Sequence, residues 1–106
     1  MAITIQIKKD GEVKKFSRPN TNVLEMEEFY DLQERVIKYA STEKNPTKTK
    51  IQDMQLEFVV DLFKDEDITV KDLKLGIDSK DLGKFLKDIF IQIAPEEFKE
   101  EGKSKV

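Results

Sequence analysis

The chain has 106 residues, which is enough for one domain with a single core and too few for two. Apolar residues make up 38% and charged residues 39%, and 19 basic against 22 acidic side chains give a net charge of −3, so both signs are interspersed on a highly charged surface. The absence of cysteine and histidine excludes disulfides, cysteine nucleophiles and structural zinc sites, and it removes the commonest general base.

Neither nucleic acid nor a membrane is an expected partner. The basic cluster near the N-terminus comprises Lys8, Lys9, Lys14, Lys15 and Arg18. It contains a single aromatic residue, Phe16, and the chain as a whole lacks the basic excess of a nucleic-acid-binding domain, so we interpret it as a solvated strand surface. The apolar runs are far too short to span a bilayer and the first residues do not resemble a secretory signal, so we expect a reducing cytoplasm.

A β-hairpin is predicted over residues 3–16. Isoleucines that alternate with polar residues, the period of a half-buried strand, stand at Ile3, Ile5 and Ile7. Asp10 and Gly11 follow as a strong two-residue turn signal, because glycine accepts the positive φ that such a turn requires. The register of the return strand stays open, because Val13 and Phe16 have opposite parity and cannot both lie on the isoleucine face.

A helix is predicted over residues 23–40, where apolar residues recur at three- and four-residue spacings. Asn22 and Glu25 have the spacing of a capping box at its start. The polar stretch 41–48 contains a proline and is typical of a loop.

A second helix and a short helical turn are predicted next. Thr49 and Gln52 have the spacing of another capping box, which indicates the start of the second helix. The short turn opens with the pair Thr69 and Asp72 and ends at Gly76, which we expect to be a left-handed C-cap.

The last helix is expected to be capped by Asp78 or Ser79 and closed by Pro95. Its wide apolar stripe consists of Leu82, Phe85, Leu86, Ile89, Phe90 and Ile93. Because Phe85 and Phe90 are five residues apart, one helix face cannot bury both equally, so we predict that this stripe binds a partner protein or a second copy.

The prediction is therefore a mainly α single domain over residues 1–95, with an N-terminal hairpin, three principal helices and a short helical turn, followed by a flexible charged tail over 96–106.

No catalytic residue, cofactor or metal site is predicted. The acidic run 65–69 has alternating oxygen ligands as in an EF-hand, but Val70 and Gly76 occupy the positions that need glycine and a bidentate glutamate. The other carboxylates lie among lysines on faces that we expect to be solvated, not in an apolar cleft that would separate their pKa values.

Ser79 supports an alternative function. Residues 75–79 look like the motif of an acyl or peptidyl carrier protein, in which a serine at a helix N-terminus bears a phosphopantetheine arm. Lys80 stands where carriers have an apolar residue, and only one helix follows, so a plain N-cap is the favoured interpretation. A small regulatory adaptor is a further alternative.

Residues 61–93 resemble the tail assembly chaperones of long-tailed phages that infect Gram-positive bacteria. The resemblance lies in the pair Leu62-Phe63, the threonine-capped turn 69–76 and the amphipathic helix 78–93, preceded by a hairpin and by the acidic, aromatic helix segment MEEFYDL. The pattern departs from the family at Leu75, where an acidic residue is commoner, and in the lysine-rich hairpin.

The resemblance implies a protein without catalytic activity that coats the long helical tape measure protein before the tail tube polymerises. It further implies recruitment of tail tube subunits, a location in the host bacterial cytoplasm and absence from the mature virion. Family members often also exist in a longer form made by ribosomal frameshifting, and residues 96–106 are where such a form would diverge.

Overall fold

A computed structural model of the chain describes residues 3–97, which form a two-stranded hairpin followed by helices. The elements are β1 (Ile3–Lys9), β2 (Glu12–Arg18), α1 (Val23–Thr42), α2 (Lys48–Leu62), α3 (Val70–Gly76) and α4 (Leu82–Ile93), with a 3-10 turn at Ser79–Asp81 before α4. The predicted fold class is confirmed, with α3 as the short helical turn. Most of the predicted tail, from residue 98 onward, lies outside the described residues.

The hairpin turns at Asp10 and Gly11, as predicted. Their φ angles are +55° and +77°, and two consecutive positive values define the turn whose twist matches that of the flanking strands. Phe16 pairs with Ile5 and therefore lies on the buried face, whereas Val13 points to the other face and is 57% exposed. The strand pairing thus decides the register that the sequence left open.

Two helices begin at the predicted capping boxes. In α1 the Asn22 side chain accepts from the main-chain N–H of Glu25 at 2.9 Å, and the Glu25 carboxylate accepts from the N–H of Asn22 at 3.1 Å. Thr69 and Asp72 exchange the equivalent bonds at the start of α3. Each box satisfies main-chain donors that a helix start otherwise leaves unpaired.

The predicted start of α2 was two residues too late. The cap is Thr47, whose hydroxyl accepts from the main-chain N–H of Lys50 at 3.2 Å, and the predicted box at Thr49 and Gln52 is not formed. The N–H of Thr47 also donates to the hydroxyl of Tyr39 at 3.1 Å. This bond to the preceding helix holds Thr47 at the cap position.

Gly76 is not the left-handed C-cap that the sequence predicted, because Gly11 is the glycine with positive φ among residues 3–97. Gly76 is instead the buried last residue of α3, packed against β1. A Cβ atom here would lie 2.6 Å from the carbonyl oxygen of Lys8 and 3.0 Å from the Cβ of Ile7. The glycine is required because helix and strand approach each other closely.

One hydrophobic core joins the isoleucine face of the hairpin to all four helices. At its centre three aromatic rings come together, one from each long helix. The ring centroids of Phe29 and Phe90 are 4.8 Å apart, and Phe58 lies 6.0 and 6.1 Å from them. Tilted rings at these separations add to the free energy gained from burial alone.

A lysine attaches the turn end of the hairpin to the start of α3. The ammonium group of Lys9 donates to the carbonyl oxygen of Asp67 at 2.7 Å and lies 3.2 Å from the carboxylate of Asp72. The pKa of Asp72 is lowered, first by the hydrogen bond from the Thr69 N–H and then by Lys9. The carboxylate is thus held in its charged form.

An arginine attaches the open end of the hairpin to α1 and α2. Arg18 forms an ion pair with Glu25 and donates to the carbonyl oxygen of Leu62 at 3.2 Å. β2 extends to residue 18, two residues beyond the predicted end, because Arg18 pairs with Ile3 in the ladder. Partial burial raises the pKa of Glu25, but hydrogen bonds from Arg18 and Asn22, with the charges of Arg18 and Lys64, outweigh it and lower the pKa overall.

Candidate partner-binding groove

The structure divides the predicted partner-binding stripe on α4 into core and surface residues. The buried members, each at most 8% exposed, are Leu86, Ile89, Phe90 and Ile93. Leu82 and Phe85 are half-buried and pack against the edge of the core. The unequal burial of Phe85 and Phe90 agrees with their five-residue spacing. Partner binding by the stripe stays a prediction, and its most accessible members are Leu82 and Phe85.

Leu82 and Phe85 line two separate shallow cavities on either side of Ile77. The cavity at Leu82 has a volume of about 300 Å³ and that at Phe85 about 220 Å³. Both linings include charged side chains, Lys74 in the first and Asp78 with others in the second. This face is therefore a mixture of apolar and charged groups.

An uncharged groove lies on another part of the surface, between α1, α2 and α4. This α1–α2–α4 groove has a volume of about 280 Å³ and is lined by Phe29, Leu32, Gln33, Val36, Ile37, Gln55 and Phe90. None of these seven side chains is charged, although 39% of the residues in the whole chain are charged. An accessible uncharged concavity on so charged a protein is a candidate binding surface.

The spacing of apolar residues along α1 builds this groove. Phe29, Leu32 and Val36 follow each other at three- and four-residue steps and so lie on one helix face. Phe29 and Leu32 are buried in the floor, whereas Ile37 stands at the rim with 67% of its surface exposed. Opposite them, Gln55 of α2 forms the other rim. An apolar side chain this exposed is available for contact with a partner.

The opposite flank of the α1–α2 pair is acidic. A cavity of about 260 Å³ there is lined by Glu28, Asp31, Arg35, Met54, Glu57, Phe58 and Asp61. Its Arg35 is paired with Asp31 at 3.0 Å, which leaves a net negative surface. One side of the helix pair is thus suited to apolar contacts, and the other side to solvent or basic groups.

Sequence reasoning missed the groove because its signal was ambiguous. The sequence of α1 contains more apolar residues than one buried stripe can hold, and the adjacent residues Val36 and Ile37 are examples. Which of them face the core depends on the positions of α2 and α4, which the α1 sequence does not encode.

No cluster of metal-binding side chains is assembled among the described residues. Residues 3–97 contain no group of three or more histidine, cysteine, aspartate or glutamate side chains that could hold a metal ion. In the same range, no helix has the length and apolar character needed to cross a membrane.

Ser79 is exposed and begins a single 3-10 turn, while α4 starts three residues later at Leu82. The 3-10 turn runs directly into α4, so Ser79 lies in the first turn of the last helical segment, and the predicted side-chain cap at Asp78 is not formed.

A small helical domain with an uncharged groove is typical of a protein that acts by binding another protein. A family model described as "Phage tail chaperone protein" matches residues 1–106, and the chain therefore belongs to the phage tail chaperone family, in agreement with the resemblance found in its sequence. Searches of curated proteins and of solved structures gave no match.

Proposed function

We propose that this chaperone binds the tape measure protein of its phage through the α1–α2–α4 groove, without catalysis, before the tail tube forms. Membership of the family supports a role in tail assembly. The observation that supports the groove as the binding site is its lining of seven uncharged side chains around the exposed Ile37.

An apolar face of a helix is the ligand that fits such a groove. Helices present apolar side chains at three- and four-residue intervals, and two or three of them can fill a groove between packed helices. Ile37 is 67% exposed, so its burial under a ligand contributes about 1–2 kcal/mol. The amide side chains of Gln33 and Gln55 at the rims can bond to polar groups that flank the apolar face.

The charged exterior suits a protein that binds its partner transiently. Interspersed charges keep unpartnered copies apart in the host cytoplasm, while the groove covers apolar surface on the tape measure protein. Polymerising tail tube subunits then replace the chaperone, and we therefore expect it to be absent from the mature virion. A frameshift-extended form would carry the same groove and recruit tube subunits through its added segment.

The test is binding of the full chain to the tape measure protein encoded by the same phage, measured by calorimetry or co-purification. Ile37→Asp should weaken binding at least tenfold, because the ligand would bury an unpaired carboxylate. Val23→Asp is the matched control, since Val23 lies on the same helix, is 66% exposed and does not line the groove. Thermal unfolding of both variants should stay close to that of the parent chain.

Two results would contradict this assignment of the binding site. Full binding by Ile37→Asp together with lost binding by Phe85→Asp would place the partner on the α4 face instead. No detectable binding of the parent chain to the tape measure protein would overturn the proposed function.

A further inference from the structure

We propose that the free edge of β2 is a second interaction surface, which accepts an extended acidic segment of a partner protein as a third strand. Added strands of this kind gain main-chain hydrogen bonds along an exposed sheet edge and gain specificity from alternate side chains. The surface is separate from the α1–α2–α4 groove, so the inference does not depend on the proposed function.

The strand pairing defines which main-chain groups of β2 point outward. In a hairpin closed by a two-residue turn, the flanking pair, here Lys9 and Glu12, exchanges both main-chain hydrogen bonds, and such pairs alternate along the ladder. The residues of β2 between these pairs are Val13, Lys15 and Ser17. Their N–H and C=O groups point away from β1. The sheet has only two strands among residues 3–97, so no third strand covers them there.

The corresponding edge of β1 is blocked by α3 at Lys8. By the same alternation the carbonyl group of Lys8 points outward, and it is this oxygen that packs against Gly76 of α3. A strand could not approach there without displacing α3. The hairpin therefore offers one edge to a partner, and that edge belongs to β2.

The charges on this edge select the partner. Lys8, Lys14 and Lys15 form no ion pair among residues 3–97, whereas Lys9 and Arg18, the other members of the basic cluster, are both paired. Lys15 lies on the edge strand itself and shares its face of the sheet with Lys8 of β1, whereas Lys14 lies on the other face. An added strand with carboxylates on the Lys15 face would place them opposite or diagonal to this unpaired ammonium group, which favours an acidic strand.

A second copy of the chain is a poor occupant of the same edge. The antiparallel register that pairs all three outward residues of two β2 strands sets Lys15 directly opposite Lys15 of the other copy. Like charges in that position are destabilising, and lysine is a common means of preventing edge-to-edge association. The same charge that rejects a copy attracts a strand of opposite sign.

The probe for this surface is a nine-residue peptide of alternating valine and glutamate, with a valine–lysine peptide of equal length as the comparison. On titration into the isotopically labelled full chain, the acidic peptide should shift the amide resonances of Val13, Lys15 and Ser17 and slow their hydrogen exchange. The basic peptide should do neither. Binding should weaken at least fivefold with Lys15→Glu, and stay unchanged with Lys80→Glu, which makes the same charge change in the exposed turn before α4.

Val13→Pro separates strand addition from simple charge attraction. Proline removes one outward N–H and is tolerated at a strand edge whose N–H faces solvent. Weaker binding by this variant, with the hairpin resonances retained, supports a third strand. Unchanged binding by Val13→Pro would overturn the inference, and so would tighter binding of a single-stranded oligonucleotide than of the acidic peptide.

Discussion

The main chain of Gly76 lies against the carbonyl oxygen of Lys8, so close that even a methyl group at position 76 would come within 2.6 Å of that oxygen. The two residues are 68 positions apart in the chain, and their contact sets the distance between α3 and β1. The neighbour is main chain, which cannot rotate away as a side chain can.

Gly76→Ala should therefore destabilise the protein by about 1–3 kcal/mol, the range for overpacking a well-filled site. Gly83→Ala in α4 is the control, because a Cβ there meets nothing within 4 Å. Alanine in a helix is favoured over glycine, so this change should raise stability by up to about 1 kcal/mol. Urea unfolding of the two variants should move in opposite directions, and equal shifts would contradict the close approach.

Truncation of two phenylalanines on the same helix should have unequal effects. Phe90→Ala removes a ring from the central aromatic cluster and should lower the free energy of unfolding by about 3–5 kcal/mol. Phe85→Ala should lower it by less than about 2 kcal/mol, because Phe85 is only half-buried. Chemical denaturation measures both. A larger loss for Phe85→Ala would mean that α4 is rotated from the orientation described.

Acid should destabilise the protein through Glu25 and Asp72, whose pKa values lie below their ordinary values of 4.5 and 3.8. A carboxyl group with a lowered folded-state pKa binds fewer protons than in the unfolded chain. Its stabilisation is therefore present above the ordinary pKa and is lost as pH falls through the lowered one.

The variant Glu25→Gln isolates one of these contributions. It should lower the free energy of unfolding by about 0.5–1 kcal/mol near pH 7, because the ion pair with Arg18 is lost. Denaturation at a series of pH values should then show a smaller decline in acid than in the parent chain. A decline of the same size would show that Glu25 does not contribute to it.

The hairpin turn should prefer asparagine over alanine at position 10. Asp10 has φ of +55°, a left-handed conformation that asparagine adopts readily and alanine does not. Asp10→Asn should leave thermal stability unchanged or slightly higher, while Asp10→Ala should cost about 1 kcal/mol. Equal melting temperatures for the two variants would contradict the turn geometry.

Features that depend on neighbouring residues were predictable from the sequence. The turn at Asp10 and Gly11 and the capping pair Asn22 and Glu25 need only residues within three positions of each other. Helix type and order followed from apolar spacing for the same reason.

Features that depend on distant residues were not predictable. The α2 cap at Thr47 is held by the hydroxyl of Tyr39, and the role of Gly76 depends on Lys8. The α4 stripe was recognised as apolar, but its division into core and surface depends on rings from α1 and α2. The groove at Ile37 requires three helices to be placed together.

The position of β1 between β2 and α3 has a consequence for biosynthesis. The isoleucines at positions 3, 5 and 7 precede the helices that cover them, and α3 is completed only at residue 76. Until then the nascent chain exposes an apolar strand, while α1 and α2 can already pair through contacts closer in sequence. The hairpin is thus synthesised before the helices that bury its apolar face.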